Sequence, residues 1–259
     1  MSPEERNSSA SRDQPTSVVR RMSELLTAFG PSDTYLGINE LARRTGIPKA
    51  TVSRLIKDME RERFVERRGS QIGLGLKLFE LGERASRRRS VREIALPFLA
   101  DLREATGQTV HLAILDGTEV VYVEILRGRD APWLPSGVGG RLPAHATGVG
   151  KVLLAHSPPE VLDAVLAAGL TPVGPRTVTL PAPFVRQLRR IAETGIAYEH
   201  EESAPGVACV ASSVRVGDDP PIAAVSASGW IGKVDIRRVA PAVHTTALTI
   251  ARALAAIDA

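Results

Sequence analysis

The stretch LGINELARRTGIPKATVSRLIKDMERERFVERRGSQIGLG, residues 36–75, decides the fold of the N-terminal part of the chain. Leu41 and Ala42 fall on the inner side of a short helix through Arg44, with Asn39 placed to cap it. Gly46 supplies the left-handed residue that turns the chain, and Ile47 plugs the corner. Pro48 suits the first turn of a second helix that reaches about Glu62 and carries Val52, Leu55, Ile56 and Met59 as its apolar stripe. This spacing predicts a helix-turn-helix, with a plain helical hairpin as the alternative. Residues 64–67, a turn at Arg68-Gly69-Ser70 and residues 71–74 read as a β-hairpin, which would be a wing.

If the second helix enters a DNA major groove, Lys49, Thr51, Ser53 and Arg54 are the side chains placed to meet bases and phosphates, with Arg67 and Arg68 on the wing available to phosphate. Charge points the same way. Residues 1–90 hold 18 Lys and Arg against 12 Asp and Glu, and the rest of the chain 15 against 17. A basic excess confined to one end suits an anionic partner, although a solvated surface would show the same count.

Upstream, Met22, Leu25, Leu26 and Phe29 make one more apolar helix face, which Gly30-Pro31 should end. Residues 1–16 lack any apolar period and read as a disordered tail. Downstream, a helix from Leu76 to about Arg89 reads as a linker that ends in the run Arg87-Arg88-Arg89. Residues 17–75 would thus be a winged helix-turn-helix domain, 76–90 a linker helix and 91–259 a second domain. In that last part a helix over 92–105 leads to strands over 110–115 and 120–124 across an Asp-Gly turn. Helices near 148–155, 158–168 and 183–194, strands near 207–216 and 221–228, and a closing helix over 236–257 complete an α+β pattern.

Several function classes lose support. No apolar run is long enough for a membrane helix, and the N-terminus lacks the apolar core of a secretion signal, so a cytoplasmic protein is expected. One cysteine, Cys209, leaves no internal disulfide. GVGGRLPAHATGVGK departs from a phosphate loop at His145 and Val152, and the five histidines show no metal-ligand spacing, so neither a cofactor nor a metal is expected. A thiol enzyme built on Cys209 with His145 or His200 is the catalytic alternative. A helix-turn-helix that binds protein instead of DNA is the other.

The segments LARRTGIPKATVSRL, GQTVHLAILDGTEVVYVE, RLPAHATGVGKVLLA, GIAYEHEESAPGVACVA and IAAVSASG, in this order, resemble the IclR family of bacterial transcriptional regulators over residues 17–257. The resemblance implies a GAF-like effector domain, a mixed sheet flanked by helices, joined to a winged helix-turn-helix. It also implies homodimers or homotetramers on a pseudo-palindromic operator in double-stranded DNA. Members hold a small effector against positions matching Gly148, Val149, Glu199, Cys209, Ser226 and Ser228. Thr147 would open a helix whose first N–H groups, on Gly148 and Val149, favour a carboxylate. Ser226 and Ser228, two apart on one strand, share a face, and ordinary packing of small residues is the competing account. Glu199 stands where the family often has Asp, Val149 where Ala is common and Trp230 where Pro is frequent, so the pocket is expected to be reshaped. A small carboxylic acid is the expected effector, with Trp133 or Trp230 placed to stack on an aromatic one.

Overall fold

The structure, a computed structural model, describes residues 17–30, 32–84, 86–130 and 137–257. The expected tail, Pro31, Trp133 and the side chains of Arg87, Arg88 and Arg89 lie outside the described residues. The chain divides into two compact units, Met1–Ala85 and Ser86–Ala259.

The first unit runs α1 (Val18–Thr27), β1 (Leu36–Gly37), α2 (Ile38–Thr45), α3 (Lys49–Arg61), β2 (Val65–Arg68), β3 (Gln71–Leu74) and α4 (Leu76–Glu83). Leu25, Leu41, Val52, Leu55, Ile56, Met59 and Ile72 meet in one core. Gly46 joins α2 to α3 at φ 68°, the backbone that the turn requires. Gly37, not Asn39, is the N-cap residue of α2. The reason is strand β1, missed in the sequence: Leu36 pairs with Ile72 and Gly37 with Gln71, which holds Gly37 extended and starts the helix directly after it. The C-terminus of α3 closes through left-handed Arg63, with Phe64 N–H donating to Met59 O at 2.9 Å.

The single linker helix expected over residues 76–89 is not formed. α4 ends at Glu83, and α5 (Ser86–Thr106) takes the remaining residues together with those expected to start a helix at 92. Gly82 weakens the last turn of α4 by about 1 kcal/mol relative to alanine. Val91, Ala95, Leu99 and Leu102 give α5 a buried stripe of its own.

The second unit continues with β4 (Thr109–Asp116), β5 (Glu119–Leu126), β6 (Arg141–Pro143), a 3-10 turn at Ala144–Ala146 and α6 (Gly148–Leu154). Then follow α7 (Pro159–Ala168), α8 (Pro181–Thr194), β7 (Ile196–His200), β8 (Val207–Val214), β9 (Ala223–Trp230) and α9 (Ile236–Ala255). Among the described residues the strands form one sheet in the order β6-β5-β4-β9-β8-β7, antiparallel at every pairing. Alternation sorts the side chains. Val110, Leu112, Val210, Val225 and Ala227 face α5 and α9, whereas Ala113, Ala197, Ala211 and Ala224 join the core that holds α6, α7 and α8. No helix of the described residues is long and apolar enough to cross a membrane.

Thr147 caps α6, its Oγ1 accepting from Gly150 N–H at 3.0 Å. Gly150 then passes so close to the 3-10 turn that a Cβ there would lie 2.1 Å from Ala144 O, a backbone atom. Gly150→Ala must push the helix off this turn, and urea denaturation should show a loss of about 1–3 kcal/mol. An unchanged midpoint would mean that α6 can shift freely on the sheet.

Candidate functional site

The first unit presents a basic face. Lys49 and Arg54 are exposed on α3, Thr51 and Ser53 are half-buried beside them, and none of the four side chains has a hydrogen bond or ion pair among the described residues. The wing differs. Arg67 Nε donates to Glu60 Oε2 at 3.1 Å, and the Arg68 guanidinium lies 5.6 Å from the centre of the Tyr35 ring. Tyr35 in turn donates to Glu66 Oε1 at 2.8 Å. Arg67 must therefore exchange a carboxylate for any phosphate it meets, while Arg68 is held over its ring with the charge still exposed. Behind this face, Arg44 ties Asp33 and Glu40 together. Paired with Arg43 and Arg44, the Glu40 carboxyl is held down at about 2.

In the second unit the strand register builds a polar patch inside an otherwise apolar face. Glu199 pairs with Cys209, Cys209 with Ser228, and Ser228 with Thr109, in one row across four strands. In the next row Ser226 pairs with His111. Gly148 and Val149 lie over these rows, because a Cβ on Gly148 would come 3.1 Å from Cys209 Sγ. The cavity they border has a volume of about 20 Å³, room for roughly one water molecule. Gly148, Val149, Glu199, Cys209, Ser226 and Ser228 all line it. The sequence reading missed His111, Tyr122 and Ser203 in the same wall. His111 had a signal: it is the polar residue in the otherwise apolar run Val110–Leu115.

Trp230 does not line the cavity; it packs over Gly206 at the end of β9. His145 is absent from the wall as well, its Nε2 bonded to Thr171 O at 2.9 Å and its ring edge-on to Phe184. It fixes the loop that precedes α6.

Charge is concentrated at one end of the cavity. Lys151, wholly buried on α6, is ion-paired with Glu202. Left-handed Glu201 bends the chain so that the N–H groups of Glu202 and Ser203 point back to Glu199 Oε1, at 2.6 and 3.0 Å. Burial nevertheless outweighs these bonds and Lys151, and pushes the Glu199 carboxyl up to about 7. Burial also raises the Cys209 thiol to about 12 and lowers His111 to about 4, so both are neutral near pH 7.

Comparison with known proteins gives concordant results. Residues 18–69 match the IclR helix-turn-helix domain, and residues 84–255 match the family described as bacterial transcriptional regulator IclR C-terminal. The HTH-type transcriptional regulator XynR of Escherichia coli is 34% identical over 84% of this chain and 87% of its own length. The transcriptional repressor IclR of the same organism is 30% identical over 85% and 82%. Among solved structures, an IclR homolog from Microbacterium hydrocarbonoxydans, complexed with 4-hydroxybenzoate, superposes with a TM-score of 0.85. It is 29% identical, over 93% of this chain and 100% of that one. The IclR of Thermotoga maritima gives 0.72 at 29% identity, over 92% and 98%.

The proton on Glu199 links stability to pH. The fold keeps it up to about pH 7, whereas the unfolded chain releases it near 4.5. Protonation thus favours the fold fully below pH 4.5, and that contribution is gone once the pH has risen through 7. Glu199→Gln, which cannot ionise, should be more stable than the parent by roughly 2–3 kcal/mol at pH 8 and nearly equal to it at pH 4.5. Denaturation curves at the two pH values measure this, and an equal gap at both would place the ionisation elsewhere.

Proposed function

Because the chain belongs to the IclR family of bacterial transcriptional regulators, we propose that its winged helix reads an operator through α3 while the cavity of its C-terminal unit takes a small carboxylic acid. That the protein is a ligand-responsive, DNA-binding regulator follows from the family. The assignment of residues to tasks is our reading. On α3, Lys49, Thr51, Ser53 and Arg54 reach base edges and phosphates, and Arg67 and Arg68 hold the flanking backbone from the wing. The absence of any competing partner around Lys49 and Arg54 among the described residues is what favours them. In the second unit Gly148, Val149, Glu199, Cys209, Ser226 and Ser228 surround the effector. The working division is residues 17–75 for DNA, 76–90 as connection and 91–259 for sensing, in a cytoplasmic homodimer or homotetramer on a pseudo-palindromic site.

The observation that carries the sensor reading is the cavity: polar groups from five strands and one helix gather in an apolar face, with space for about one water. The Microbacterium homolog complexed with 4-hydroxybenzoate supports a small carboxylic acid as the chemistry that suits such a site, and control of a metabolic operon by that acid is part of the reading proposed here. An acid of that size cannot enter 20 Å³, so its binding must favour an arrangement with the wall displaced. A ligand that prefers one of two arrangements shifts their populations, which is what a switch requires. A sensor also accounts for Cys209 better than an enzyme does, since a thiol raised to about 12 is a poor nucleophile near neutrality.

Two substitutions test the division of tasks on DNA. Arg54→Ala should cost about 1–3 kcal/mol on the selected operator and little on random duplex, if the side chain reads a base. Arg68→Ala should weaken both alike and flatten the slope of log affinity against log salt by about 1, the signature of one lost phosphate contact. Fluorescence anisotropy at several salt concentrations reads both effects. Failure to enrich any inverted repeat from a random duplex library would defeat the assignment of α3 as the reader.

A further inference from the structure

Glu199 is an unusual group to find in a cavity that takes an anion. Its carboxyl is 1% exposed, and Oε1 is occupied by the N–H groups of Glu202 and Ser203. Oε2 is the oxygen left for the cavity that Glu199 lines. An ionised Oε2 would face a bound carboxylate across a space from which water has been expelled, and two like charges there repel strongly. The cation nearby does not relieve this. Among the described residues the cluster holds one ammonium, Lys151, and two carboxylates, and Lys151 is already paired with Glu202.

We propose that Glu199 enters the ligand complex as a carboxylic acid, its Oε2–H donating to the carboxylate of the bound acid, so that filling the cavity takes up a proton from solvent. Resting on the reading of the cavity as a carboxylic-acid site, this adds a rule of recognition: the site selects the anion by supplying the hydrogen between two carboxyl groups. The other groups facing Glu199 do not substitute for it. Glu202 is neutralised by Lys151; Cys209 on β8 and Tyr122 on β5 are both raised by burial and stay protonated. His111 on β4 is the one rival. It is neutral near pH 7, and an anion in the cavity would favour its charged form. Glu199 itself is raised to about 7, so near neutrality part of the population must gain the proton on binding.

The prediction separates Glu199 from His111. Titration calorimetry with benzoate, 4-hydroxybenzoate and pyruvate, in two buffers of different ionisation enthalpy, gives the protons taken up per ligand bound. For the parent protein, uptake should be small at pH 6 and approach one at pH 8, with affinity about tenfold weaker at pH 8. In Glu199→Gln the amide oxygen can accept from the Glu202 and Ser203 N–H groups while the amide NH₂ donates to the ligand. That variant should show no uptake and equal affinity at both pH values, and at pH 8 should bind about tenfold more tightly than the parent. Uptake that persists in Glu199→Gln would move the proton to His111 and overturn the proposal. Tight binding by the parent with no uptake at pH 8 would also overturn it while leaving the carboxylic-acid site standing. If none of the three acids binds at pH 6, where Glu199 holds its proton, the carboxylic-acid reading of the cavity falls and the proton coupling with it.

Discussion

Antiparallel register is the constraint on which the second unit depends. Side chains on a strand alternate between faces, so a slip of one residue would send Cys209, Ser226 and Ser228 to the opposite side of the sheet. On strands β7, β8 and β9 that face carries the small residues Ala197, Ala211 and Ala224, and α6 lies so close over it that a Cβ on Gly148 would come 3.1 Å from Cys209 Sγ. On the opposite face Val110, Leu112, Val210, Val225 and Ala227 pack against α5 and α9, so the register is fixed from both sides of the sheet.

Burying a charge is expensive unless it is paired, and the Lys151 cluster shows how the fold manages three ionisable groups at once. One ion pair removes two of them. The third, Glu199, receives two N–H groups because Glu201 adopts a left-handed backbone, a conformation that a residue with a Cβ adopts only at some cost. Gly174 N–H and the Thr177 hydroxyl close the other side of the loop by donating to Glu202 O, at 2.9 and 2.7 Å. So the backbone that shapes one end of the cavity is held from both sides, while the carboxyl it presents remains the group most easily altered by what enters.

The helix-turn-helix was legible because its determinants are local. Gly46 needs a positive φ, and Val52, Leu55, Ile56 and Met59 need one side of a helix; both requirements act within a few residues. β1 was not legible, since two residues paired with partners 36 and 34 positions away leave no periodic mark, and the N-cap of α2 was misplaced for the same reason. The break between α4 and α5 was hidden because the apolar pattern runs on past it, and the two signs that mark it, Gly82 in the last turn of α4 and the separate buried stripe of Val91, Ala95 and Leu99 on α5, are each weak in sequence. In the cavity, Ser226 and Ser228 could be placed on one face from spacing alone. Opposing them to His111 and Cys209 needs the order of strands, which no local pattern contains. Lys151 sits in GVGKVLLA as a lone charge among apolar residues, a signal present in the sequence but without meaning until its partner Glu202, 51 positions on, is known.

The size of the cavity bears on how sensing could reach DNA at all. A site preformed to the shape of its ligand would bind with little change elsewhere, and a ligand that fits two states equally shifts neither. Here a Cβ on Gly150 would lie 2.1 Å from Ala144 O and one on Gly148 3.1 Å from Cys209 Sγ, so the N-terminal end of α6 leaves no room for a side chain at either position. An acid held in the cavity, as proposed, would displace part of the wall, whose backbone borders are the N-terminal end of α6 and the turn after β7. On the proposed reading, that tight packing is what would couple a small bound acid to movement of these elements.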